Sequence, residues 1–270
     1  MIPPNLIINA DDFGLHPRIS LGIARCLDEG LINSFSVMPF SDAFHGELLR
    51  LLLARHPGIR VGAHLSLLEE DSPGLRDHHP RLRDHPLHFR DFLALYARGK
   101  LPPSRIQARW RDQIQALGAY VGGPGNLAHL DSHQHLHVLP GLWPVAAALR
   151  KEFGIPRLRA PYESFSRSLG YRFPFGAALQ GLAWLRRERR SRRFLGFFSS
   201  TRFTLEANLP GVREVLRHPE REYELMVHPV LPPDPALFPG PDETTFSPRQ
   251  ADEIGELRRL REFLLASQSA

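Results

Sequence analysis

Cysteine is all but missing. Cys26 is the only one in 270 residues, so no disulfide can form within the chain, which fits a reducing compartment. Lysine is almost as scarce, at Lys100 and Lys151 only, so nearly all the positive charge is arginine. No apolar run approaches the roughly 20 residues of a membrane span, and no integral membrane segment is expected. The opening Met1-Ile2-Pro3-Pro4 lacks the basic n-region and apolar h-region of a signal peptide, so a cytoplasmic address is expected. Zinc-finger spacing, a helix-turn-helix signal and an RNA-binding aromatic motif are also missing. The net charge of +5 and the pI near 9.9 therefore do not imply nucleic acid. The arginines are interspersed with acids, except from Arg186 to Arg193.

What is present is an ordinary soluble composition, 42% hydrophobic and 23% charged. The chain is long enough for a full core, and no Gly/Ser linker divides it, so a single domain over 1–270 is expected. The apolar run Leu6 to Ala10 fits a strand buried on both faces. Pro17 opens a helix closed by Gly30. Further strands are expected at 34–38, 58–65, 127–131, 157–160, 195–198 and 222–228. Helices are expected at 42–55, 89–98, 103–118, from Pro140 to Phe153, at 176–193 and 206–216, and from a Ser247-Pro248 start to about Leu265. About seven strands alternating with helices predict a parallel sheet with crossover helices, an α/β fold most economically closed as a (β/α) barrel or near-barrel. Residues 69–88, with His78, His79, His85 and His88, read as a long loop and the best lid candidate.

Ionisable residues collect where these strands end. Asp11 and Asp12 close the first, His64 the third, Asp131 and His133 the fourth, Arg159 the fifth and His228 the last. In a parallel barrel, the loops at those ends build the active site. Each residue alone has an ordinary structural explanation, such as a helix cap or a core histidine; their meeting at one rim does not. The densest stretch is His129-Leu130-Asp131-Ser132-His133-Gln134-His135-Leu136-His137. An extended backbone would turn His133, His135 and His137 to one side. Two histidines, a carboxylate and an open position suit Zn²⁺ or a similar transition ion. The second carboxylate of an adjacent pair is then available as a general base.

Asn9-Ala10-Asp11-Asp12-Phe13-Gly14, Gly62-Ala63-His64-Leu65, the stretch from His129 to His137, and Val227-His228-Pro229 resemble, at separate places, the YdjC-like carbohydrate deacetylases. This is the family of chitooligosaccharide deacetylase and the hopanoid-associated deacetylase. The resemblance implies a barrel-like fold, one divalent metal ion usually described as Mg²⁺, and removal of acetyl from an N-acetylated sugar. It places the metal on Asp12, His64 and His133 and makes Asp11 the general base. His228 resembles the general acid of the wider polysaccharide deacetylase group, and Arg159 the arginine that orients the base there. His135 and His137 then support the site or touch substrate without binding metal. A homodimer is consistent with the resemblance.

The central Asp131-Ser132-His133-Gln134-His135 is closer to the chitooligosaccharide branch than to the hopanoid one. The arginine run followed by Phe194 to Phe198 would allow peripheral contact with anionic lipid. Two other functions compete. One is a metal-dependent phosphoesterase on a similar barrel, for which an early His-x-His is missing. The other is a non-enzymatic basic nucleic-acid-binding protein.

Overall fold

The computed structural model describes residues 1–38, 43–67, 89–163, 174–186, 192–199, 203–232, 234 and 252–268. In chain order the elements are β1 (Leu6–Phe13), α1 (Pro17–Asp28), β2 (Ser34–Val37), α2 (Ala43–Arg55), β3 (Arg60–Leu65), α3 (Phe89–Ala97) and α4 (Pro103–Gly118). They continue with β4 (Leu130–Ser132), α5 (Leu142–Glu152), α6 (Pro174–Arg186), β5 (Arg193–Leu195), α7 (Leu205–Arg217), β6 (Tyr223–Val227) and α8 (Glu253–Gln268). Short 3-10 turns lie at Pro124–Asn126 and His133–Val138. The fold is α/β. Its six described strands follow the order β4-β3-β2-β1-β6-β5, and β1 with β6, β3 with β4 and β5 with β6 run parallel.

The expected seventh strand at 157–160 is, among the described residues, a single parallel bridge between Leu130 and Leu158. The strand expected at 195–198 stops at Leu195 because Gly196 turns to φ 97. A Cβ at Gly196 would lie 2.5 Å from the Met226 carbonyl oxygen, so only glycine lets the chain leave the sheet this closely. The loop 69–88, most of the arginine run and the Ser247-Pro248 helix start lie outside the described residues.

The backbone contacts group into two compact units, Met1–Phe35 with Ala160–Ala270, and Ser36–Arg159, the division falling within β2. In the first, every residue of β1 is buried, as the apolar run Leu6 to Ala10 requires of a strand covered on both faces. Leu6 to Ala10 pair with Tyr223 to Val227. The Phe13 and Phe35 rings meet at 5.5 Å, tilted by 52°. In the second, Trp110, Ile114 and Leu117 of α4 bury their side chains, and β3 pairs with β4 from Ala63↔Leu130 to Leu65↔Ser132.

Helix α1 begins where His16, extended at φ -155, accepts a hydrogen bond from the Arg18 N–H. Pro17 follows with its φ already set for the helix. Helix α1 bears on the chain that leaves β6. The Arg18 Nε donates to the Leu231 carbonyl at 2.9 Å, and the Leu231 N–H donates back to the Arg18 carbonyl at 3.1 Å. A Cβ at Gly22 would stand 2.8 Å from the Pro229 carbonyl oxygen. Backbone there cannot swing aside as a side-chain tip would, so Gly22 sets how near α1 comes to His228-Pro229. In an exposed helix, Gly→Ala stabilises by about 1 kcal/mol. Here Gly22→Ala is expected to destabilise by about 1–3 kcal/mol, the cost of overpacking, read as a lower urea midpoint. A raised midpoint would mean the close approach is soft.

Candidate active site

In the unit of residues 1–35 and 160–270, the β1–β6 register ends at Ala10↔Val227. The next residues are Asp11, within β1, and His228, just past the end of β6, so the pairing itself brings a carboxylate and an imidazole to neighbouring positions. Asp11 is buried, and its Oδ1 accepts a 2.6 Å hydrogen bond from the Asn9 side-chain amide. Asn9 is held in turn by the Ser34 hydroxyl, which donates to its Oδ1 at 2.5 Å. Asp12 sits at φ 72, a left-handed conformation that few non-glycine residues adopt and that costs of order 1–3 kcal/mol. Its Oδ2 is 4.0 Å from His228 Nε2. The His228 backbone N–H donates at 2.7 Å to Glu253 Oε2, and the Phe203 N–H donates at 3.1 Å to Glu253 Oε1. Burial pushes the Glu253 carboxyl up from the usual range, against the pull of His228 and the two N–H groups.

In the unit of residues 36–159, His64 and Asp131 are direct partners across β3 and β4. His64 Nδ1 lies 2.8 Å from Asp131 Oδ1, and the Arg159 guanidinium is ion-paired with Oδ2. His129 Nε2 stands 3.6 Å from the same Oδ2. All four side chains are buried. Burial alone would raise the Asp131 pKa, but Arg159 and then His64 hold the carboxyl well below the ordinary range. Ionised Asp131 accepts the proton of His64 Nδ1, which fixes the tautomer that presents the Nε2 lone pair. The His133 ring lies 5.6 Å from that of His64, at 78° to it. Arg159, expected to orient the base, is tied by this ion pair to Asp131, an anchoring role the sequence reading did not assign.

The stretch after Asp131 is not extended. His133–Val138 is a 3-10 segment broken by left-handed Gln134 (φ 51) and His135 (φ 56), so the expectation that alternate histidines share one side fails. His137 instead points into the interior. Its N–H donates to Ser132 Oγ at 2.9 Å, its Nδ1 meets that hydroxyl at 2.7 Å, and its Nε2 meets the Arg159 carbonyl at 2.8 Å. The carbonyl can only accept, so Nε2 carries the proton, and the Ser132 hydroxyl donates to Nδ1. His137 is thus a neutral core histidine that fixes the backbone of Arg159.

Within the unit of residues 36–159, His64 and His133 are candidate donors to a metal ion. The Asp131 oxygens there already serve Arg159 and His64, which leaves the two imidazoles as the groups that could hold an ion. The sequence reading missed Glu253. Its signal was a charge on the apolar stripe of α8, in line with Leu257, Leu260 and Leu264 at helical spacing.

Burial lowers the His137 pKa to about 4, against about 6.5 in an unfolded chain. Between these values the unfolded chain takes up a proton that the folded chain refuses, so stability falls as pH drops from about 6.5 to about 4. His137→Gln removes that proton. The variant is expected to be less stable at pH 7 and to lose less on acidification, by the equivalent of one proton across the window, in urea titrations at pH 7 and 4.5. Equal losses would show that His137 is not the acid-sensitive group.

The chain is similar to several known proteins. The carbohydrate deacetylase of Brevibacillus brevis is 32% identical over 162 residues, 58% of this chain and 59% of that protein. The carbohydrate deacetylase of Vibrio parahaemolyticus is 29% identical over 154 residues, 56% of this chain and 57% of that protein. The chitooligosaccharide deacetylase of Yersinia pestis is 31% identical over 159 residues, with the same shares. The chain thus matches a little under three fifths of these relatives' lengths. The crystal structure of a protein named for cellobiose-phosphate cleavage, from Enterococcus faecalis, superposes with a TM-score of 0.69 over 97% of this chain and 94% of that one. At 22% identity it shares the fold. The family described as YdjC-like protein matches residues 5–269, and the chain belongs to that family.

Proposed function

We propose that this protein is a metal-dependent deacetylase that removes acetyl from N-acetylated sugars, with one divalent ion held by Asp12, His64 and His133. The observation that carries the reading is the buried His64–Asp131–Arg159 cluster. It spends a carboxylate and a guanidinium on presenting one imidazole nitrogen, as metal-binding histidines require. The names of the relatives support the reaction. Two imidazoles and one carboxylate suit Zn²⁺ or a similar ion; family resemblance favours Mg²⁺. The barrel-like closure, a cytoplasmic location and a homodimer belong to the same proposal.

The ion, when bound, would polarise the acetamide carbonyl and lower the pKa of a water. The chain's own groups supply the proton transfers. Asp11, oriented through its Oδ1 by Asn9, takes a proton from the attacking water. The water oxygen bonds to the carbonyl carbon, the C–N bond breaks, and His228 gives its proton to the departing nitrogen. The products are acetate and a free amino sugar. Buried Asp11 is suited to a base because it is not the carboxylate assigned to the ion.

The test is acetate release from N-acetylglucosamine oligosaccharides and from an N-acetylglucosaminyl lipid by metal-loaded protein. Release is expected to stop with a chelator and to return with one equivalent of divalent ion. Asp11→Asn is expected to lose about 10²–10⁴-fold in kcat, the usual worth of a general base, while calorimetry still finds metal bound. His133→Ala should lose the metal itself. Metal lost together with activity in Asp11→Asn, and metal kept without activity in Asp12→Asn, would exchange the roles of Asp11 and Asp12. Full activity without metal would overturn the reading, and phosphate ester hydrolysis in place of acetate release would replace it.

A further inference from the structure

Three buried polar side chains hold the backbone where functional strands end, and each matches the polarity of what it holds. Gln113 of α4 accepts the Ser66 N–H at 3.1 Å and donates to the Ser66 carbonyl at 2.8 Å, two residues beyond His64. Gln180 of α6 accepts the Glu163 N–H at 2.9 Å and donates to the Pro161 carbonyl at 2.8 Å, two residues beyond Arg159. Each of these sites offers one N–H and one C=O, and an amide side chain meets both. Glu253 meets two N–H groups, of Phe203 and His228, which require two acceptors. Only a carboxylate offers them on one planar group. That accounts for a charge at 0% exposure, where an unpaired carboxylate would be strongly disfavoured.

The His228 ring makes the Glu253 bond important. Its Nδ1 is buried and, among the described residues, has no hydrogen-bond partner, so no carboxylate steers the imidazole through that nitrogen as in a hydrolase triad. Its Nε2 has Asp12 at 4.0 Å, too far for a hydrogen bond. The ring is placed chiefly from its backbone, and the backbone is fixed by Glu253 on one side and by Pro229 against Gly22 on the other.

We propose that Glu253 is a positioning residue for proton delivery by His228, holding its backbone so that Nε2 faces the departing nitrogen. The inference rests on the reading of His228 as general acid. It gives that role a second residue, from a helix that contributes no other group to the reaction. Glu253 touches neither substrate nor ion; it acts through the His228 N–H. The second N–H ties the entry to α7 to the same carboxylate, so a change at Glu253 releases two segments together.

The experiment uses two acetyl substrates of the metal-loaded enzyme. An N-acetylglucosamine oligosaccharide must have its nitrogen protonated to leave, whereas 4-nitrophenyl acetate loses its acyl C–O bond to give acetate and a stable 4-nitrophenolate that needs no proton. Glu253→Gln keeps size and places an NH₂ against one of the two N–H donors. It is expected to lower kcat for the amide about 10–100-fold, with KM within about twofold and nitrophenyl acetate hydrolysis unchanged, losses of the kind seen when a group supporting a reactive residue is removed. Glu253→Asp, which keeps both acceptors on a shorter stem, should fall between, and it carries the test if the Gln variant does not fold. Adding His228→Ala to either variant should cost nothing beyond His228→Ala alone. An equal fall for both substrates would reduce Glu253 to a structural residue, and unchanged amide hydrolysis would overturn the inference. If His228→Ala itself left amide hydrolysis intact, the general-acid reading would fall instead.

Discussion

A carboxylate sealed from water cannot stay ionised without compensation, and Asp131 is the point at which this protein supplies it. The Arg159 guanidinium, the His64 imidazole and His129 close round it, and each is fixed by doing so. His64 gains a defined tautomer. Arg159 is drawn inward, and its carbonyl accepts from His137 Nε2. The parallel register of β3 and β4 sets His64 opposite Asp131, so the pairing is a property of the sheet before it is a property of the site. Removing any one member would leave a buried charge or a misdirected ring among the rest.

Much of this was legible in the chain. Leu6 to Ala10 read as a strand buried on both faces and is one; Asp11-Asp12 read as its end, but β1 runs on to Phe13, whereas His228 does stand just past the end of β6. What failed did so for physical reasons. The periodicity of the histidines after Asp131 presumes an extended backbone, and two consecutive left-handed residues, Gln134 and His135, cancel it. No composition rule announces such a turn at Gln-His, where glycine would have been the usual sign. The seventh strand was drawn from Arg157 to Ala160, but the chain makes a single bridge there before the Pro161 turn. Arg159 was recognised as important but not its partner, because the residue it meets is 28 positions earlier, beyond the reach of local pattern.

Strain and satisfaction are divided between different residues. Of the left-handed positions, Gln134 and His135 directly follow His133, and Asp12 is itself a proposed donor, in keeping with the tendency of backbone strain to gather at functional sites. The residues that oppose it are buried and fully matched: Asn9 on Asp11, Ser132 on His137, Gln113 on Ser66, Glu253 on His228. The stiffness of the site therefore comes from polar groups in helices and strand interiors, and the loops need supply little of it.

The division of the backbone, with residues 36–159 falling between the two parts of the other unit, bears on how the molecule is made. One edge of β1 waits for β6, whose Tyr223 pairs with Leu6. At about 5–20 residues per second of synthesis, that partner follows on the order of 10–40 s later. Until then a strand of continuous apolar character has an unpaired edge beside a growing chain. Such long-range pairing slows folding and leaves an adhesive edge in the nascent protein. The same pairing that brings Asp11 beside His228 thus leaves an apolar strand edge uncovered until residue 223 has been made.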